Sequence, residues 1–141
     1  MRDEMKRASC TETGGVLVGY SEGDSLVVTA ASGPGPRAKL RLFSVTIDGK
    51  HAQQFCDRVS QESDGKIDYL GDWHCHFAFS ITPSTDDHRA MEIMAEFEDS
   101  PTKTPISLIW AKYCGKFVTY VYTEERLLKK VRSSIQKGCP S

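Results

Sequence analysis

Ile67-Asp68-Tyr69-Leu70-Gly71-Asp72-Trp73-His74-Cys75-His76, followed seven residues later by Ser84-Thr85-Asp86-Asp87, sets the fold and the chemistry of this chain together. Ile67 to His76 reads as a strand, Phe77 to Pro83 as a loop, and Ser84 to about Glu98 as a helix. Strand side chains alternate between faces, so His74 and His76 share one face and Cys75 takes the other. If Asp87 opens the helix, one loop can bring its carboxylate back beside the imidazoles. Two imidazoles and one carboxylate suit zinc and leave a fourth position for water, the form of a catalytic rather than a closed structural site.

Outward from this run, strands and helices alternate only in part. Val16-Leu17-Val18, after a Gly14-Gly15 turn, and Ser25 to Ala31 read as strands. Ser32-Gly33-Pro34-Gly35-Pro36 breaks the chain. Lys39 to Thr46 alternates polar and apolar residues, which predicts a strand with one wet face. Asp48 caps a helix to about Gln61, with Ala52, Phe55, Cys56 and Val59 at helical spacing. Ile106 to Trp110 and Phe117 to Tyr122 form a hairpin. Thr123 is expected to cap a last helix, with Glu124-Glu125 near its positive end, Lys129-Lys130 further on, and Leu127, Leu128, Val131 and Ile135 on its apolar side. The pattern predicts an α/β domain, a mixed β-sheet flanked by helices on both sides, spanning residues 1–141 as one unit.

Composition narrows the function. The chain has 18 basic and 19 acidic residues and a net charge of -1, so no global field favours nucleic acid. No apolar run is long enough to cross a bilayer, and Met1 to Ser9 lacks the apolar core of a signal peptide. The 5 cysteines form no Cys-x-x-Cys pair, which fits a reducing, cytoplasmic setting.

A hydrolytic centre also needs a general base and a donor for the developing oxyanion. Ser84 offers a hydroxyl, although Pro83-Ser84-Thr85-Asp86-Asp87 is equally a helix start with Ser84 as N-cap. Glu12, ahead of Gly14-Gly15 and a strand, is the base that stands out; taken alone it reads as a solvated carboxylate. Asp72 and Asp86 compete with Asp87 by position. His51 and His88 read as exposed polar residues, and Trp73 and Cys75 as core.

At these residues the chain resembles the JAB/MPN (JAMM) metalloprotease family, whose signature is an upstream Glu and His-x-His-x7-Ser-x-x-Asp. Glu12, His74, His76, Ser84 and Asp87 match it without a change of spacing. The bacterial branch is also similar in Glu12-Thr13-Gly14-Gly15, in the Gly33-Pro34-Gly35-Pro36 run and in Tyr69-Leu70-Gly71-Asp72-Trp73. The resemblance covers roughly residues 10 to 122 and implies a sheet layout similar to that of cytidine deaminases. It implies one Zn2+ on His74, His76 and Asp87, with Glu12 moving the proton and Ser84 stabilising the oxyanion. The implied reaction is cleavage of a peptide or isopeptide bond after the tail of a ubiquitin-like protein or a conjugated nucleotidyltransferase. The implied setting is an antiphage system with ubiquitin-activating-like and conjugating-like enzymes. A sulfur-carrier tail protease and a non-catalytic MPN scaffold are the alternatives. Phe77-Ala78-Phe79 departs from the family, which carries Pro after the second His; Phe77 and Phe79 either contact a substrate tail or pack down.

Overall fold

A computed structural model of the protein describes residues 12–42, 44–76, 80–113 and 115–136. Its centre is β5 (Asp68–His76), which lies between β1 (Thr13–Glu22) on one side and β6 (Ile106–Ala111) on the other. β1 pairs with β5 antiparallel and β6 pairs with it parallel. The sheet continues to β2 (Ser25–Ala31) beyond β1, and to β7 (Lys116–Tyr122) and β8 (Leu128–Val131) beyond β6. β3 (Lys39–Leu40) and β4 (Val45–Thr46) form a separate two-stranded sheet. Helix α1 spans Gly49–Glu62 and helix α2 spans Thr85–Glu96. The α/β class read from the sequence is the observed one: a mixed six-stranded sheet with helices packed on it.

The β5 pleat separates two environments. Trp73 and Cys75 point into a cluster with Leu17, Leu70 and Ile106, where both are 1% exposed. Trp73 Nε1–H donates to the Ser32 carbonyl at 2.9 Å, which satisfies the one polar atom that this ring buries. His74 and His76 lie on the other face. Helix α1 packs Ala52 and Phe55 against Val16 and Tyr69, and Met94 of α2 reaches the same cluster. Met91 and Ala95 of α2 pack on Tyr122 of β7, with Leu128 alongside.

Four expectations need correction. Gly14 and Gly15 are not a turn: both lie inside β1, opposite His74 and Trp73. The strands approach so closely that a Cβ on Gly14 would stand 2.5 Å from the Trp73 carbonyl oxygen. Lys39 to Thr46 is not one strand. It folds back on itself, with Arg41 N–H donating to the Ser44 carbonyl at 2.9 Å. The last helix is absent: Leu128–Val131 is a strand on β7, after a turn in which Arg126 has φ 61°. Helix α2 holds that turn. His88 Nε2 bonds the Arg126 carbonyl at 2.9 Å, and the guanidinium reaches Glu96 at 3.0 Å and Glu92 at 3.8 Å. Docking on α2 and pairing with β7 override the helical spacing of the leucines. His88, expected to be merely exposed, is thus half-buried and bonded.

The ladder between β1 and β5 shifts register between Leu17 and Val18, which lie opposite Gly71 and Tyr69 with Leu70 skipped. Tyr69 and Asp72 consequently fall on one side, and the Tyr69 hydroxyl donates to Asp72 at 3.1 Å. A Cβ on Gly71 would lie 1.9 Å from the Ile106 carbonyl oxygen, so backbone and not a flexible side chain would have to move. Gly71→Ala is therefore expected to destabilise the protein by about 3 kcal/mol or more, read from the urea midpoint of the variant against wild type.

Candidate metal centre

β5 delivers His74 and His76 to one face at the end of the strand, and α2 begins beside them. Asp48 and Ser84 cap the two helices as the sequence predicts. At α2 the cap is a reciprocal box: Asp87 N–H donates to Ser84 Oγ at 3.2 Å, and Ser84 N–H donates to Asp87 Oδ2 at 2.6 Å. Both bonds fix the carboxylate on the first turn, turned toward the histidines.

The donors converge. His74 Nε2 and His76 Nε2 are 2.9 Å apart, His74 Nε2 is 3.1 Å from Asp87 Oδ1, and His76 Nε2 is 3.4 Å from Asp87 Oδ2. A tetrahedral zinc sphere with bonds of about 2.0–2.1 Å has ligand–ligand edges of about 3.3 Å, so the set fits such an ion. One ligand atom from each of the three residues lies within 4.8 Å of the others. His76 Nδ1 lies 3.0 Å from the Ser80 carbonyl oxygen. A carbonyl only accepts, so Nδ1 carries a proton, and in the neutral ring Nε2 has its lone pair toward the cluster.

Electrostatics couples the three side chains to one another. Burial would raise the Asp87 carboxyl, but hydrogen bonds from His74 and His76 hold it well below the usual carboxylate range. At His76 burial favours the neutral ring, yet hydrogen bonds to Asp87 and Ser80, with the nearby charges of Asp87 and Glu12, raise its pKa. Burial pushes Asp72 up to about 6, against the Tyr69 hydrogen bond and the charge of His74.

Glu12 stands one rung beyond the Thr13–Cys75 pair of the β1–β5 ladder, which sets it beside His76. It is only 9% exposed, and its backbone N–H donates to the Arg41 carbonyl at 2.7 Å. The solvated carboxylate suggested by the residue alone is thus a buried one facing the cluster. Ser84 is exposed, and its O–H proton has no acceptor among the described residues, so capping uses only the hydroxyl's acceptor capacity. Asp72 lies on the histidine face but bonds Tyr69, and Asp86 is exposed, so neither joins the cluster. Phe77, Phe79 and Cys10 lie outside the described residues. Two contributors escaped the sequence: the Ser80 carbonyl, for which no local signal exists, and the Tyr69–Asp72 pair, which depends on the register shift.

Residues 1–126 match the family described as prokaryotic homologues of the JAB domain, and the chain belongs to that family. Three curated relatives carry the name CD-NTase/cGAS isopeptidase. The Escherichia coli (strain TW11681) protein is 41% identical over 66 residues, covering 47% of this chain and 42% of the relative. The Enterobacter hormaechei subsp. hoffmannii (strain UCI 50) protein is 30% identical over 112 residues, covering 77% and 60%. The Vibrio cholerae serotype O1 protein is 34% identical over 79 residues, covering 56% and 51%. The matches thus span 42–60% of the length of these relatives. A Desulfitobacterium hafniense protein of known solution structure shares the fold, with a TM-score of 0.70 at 16% identity over 96% of this chain and 86% of the other. No helix among the described residues is long and apolar enough to cross a membrane.

Proposed function

We propose that this chain is a JAMM-type zinc isopeptidase that releases a nucleotidyltransferase of the CD-NTase class from the protein to which its C-terminal tail is conjugated. The convergence of His74, His76 and Asp87, with Glu12 on the adjoining rung, carries this reading. The names of the curated relatives supply the substrate class.

Zinc held by the three ligands would supply Lewis acidity to the attacking water and the scissile carbonyl. The protein's own groups do the rest. Glu12 takes a proton from the water as its oxygen adds to the carbonyl carbon. The Ser84 hydroxyl donates to the oxygen that becomes negative. Glu12 then returns the proton to the leaving amine as the C–N bond breaks, so the products are a carboxylate and a free amine. The buried position of Glu12 limits exchange of that proton with bulk water. An intact ligand set disfavours a scaffold role, and activating-like and conjugating-like enzymes of the same system would form the bond that this chain cuts.

The test is to incubate the zinc-loaded protein with a CD-NTase conjugate and to resolve the products by mass. Free nucleotidyltransferase ending in an intact carboxylate is expected, and its formation should stop with a chelator and resume on adding zinc. Release that persists at full rate in a chelator would remove the metal from the mechanism.

A further inference from the structure

The metal cluster and Glu12 leave the neighbouring β3–β4 hairpin without a role. This small sheet is fastened to the site, because the Arg41 carbonyl accepts the Glu12 N–H at 2.7 Å. One backbone hydrogen bond therefore separates Arg41 from the proposed base. Arg37, Lys39 and Arg41 are exposed, whereas Ala38 and Leu40 between them are partly buried. Lys39 and Arg41 are two apart on extended backbone, so they emerge on one side. Among the described residues none of the three cations forms an ion pair. A chain of net charge -1 thus places Lys39 and Arg41, neither in an ion pair, beside its site, while the charge of Arg37 also acts on Asp48 at the start of α1.

Exposed charges of this kind add little to folding. At a rim they steer and hold a partner of opposite sign. Nucleic-acid binders draw their affinity from about 6–10 phosphate contacts, more than this short row provides. An extended acidic peptide carries carboxylates at the matching period of two.

We propose that Lys39 and Arg41, assisted by Arg37, form a recognition row for an acidic segment of the conjugated protein. The proposal rests on the isopeptidase reading for its place in the reaction, and binding tests it separately. NMR titration with a glutamate-rich decapeptide is expected to shift the backbone amides of residues 37–42, with shifts that fade as salt is raised. The glutamine counterpart of that peptide is expected to shift none of them. The double variant Lys39→Glu, Arg41→Glu should lose the response, and the milder Lys39→Gln, Arg41→Gln should weaken it if charge reversal disturbs the hairpin. In conjugate cleavage the double variant should raise KM about tenfold and leave kcat within about twofold. Equal binding of both peptides, an unchanged KM, or an oligonucleotide shifting these amides where the acidic peptide does not would each overturn the proposal. Binding of the acidic peptide by a wild-type protein that cleaves no conjugate would sink the isopeptidase reading alone and leave the row standing.

Discussion

Glu12→Gln is expected to lower kcat for conjugate cleavage by about 10²- to 10⁴-fold while metal content and thermal stability stay close to wild type. Glutamine matches glutamate in size and retains a carbonyl acceptor, but it cannot take up the proton of the attacking water. The backbone bond from Glu12 to Arg41 is independent of the side chain and survives the change. His74, His76 and Asp87 come from β5 and α2, so the substitution leaves them in place. The loss should therefore appear in kcat with zinc still bound, measured by steady-state kinetics beside elemental analysis of the same sample. A variant that keeps the wild-type kcat would take the role of base away from Glu12.

The parts of the site that were legible in sequence are those governed by local physics. His74 and His76 share a face because the strand period is two, and Asp87 points back because four residues suffice for a capping box. Glu12 was different. Its flanks, two glycines and a strand, single it out as the base, but the residue alone reads as a solvated acid and nothing local shows that it is buried. Its burial comes from the register of β1 on β5, which joins segments far apart in the chain. The glycines that permit that approach looked like a turn for the same reason: the strand they nearly touch is not local. Arg126 and β8 failed in the same way, because the acids and the histidine that hold the turn sit on α2. The sequence around Thr123 offers good helix signals, and only tertiary pairing defeats them.

Asp87→Ala is expected to reduce bound zinc to near zero and cleavage below detection, and it should also lower stability by about 1 kcal/mol through loss of half the capping box. The carboxylate has two tasks, since it faces both imidazoles and accepts the Ser84 N–H. Two further variants separate them. Asp87→Asn keeps an acceptor for Ser84 N–H but loses the charge, so the helix start should hold while metal affinity falls. Ser84→Ala removes the hydroxyl that accepts Asp87 N–H, so it should lose about 1 kcal/mol of stability and keep its zinc. If that hydroxyl also meets the oxyanion, cleavage by Ser84→Ala should fall by about 10²- to 10³-fold. Zinc content, Tm and kcat measured on all three variants resolve the two tasks. Full zinc occupancy in Asp87→Ala would mean that the carboxylate serves the helix start alone, and the metal would then need another third ligand, which no further described residue supplies.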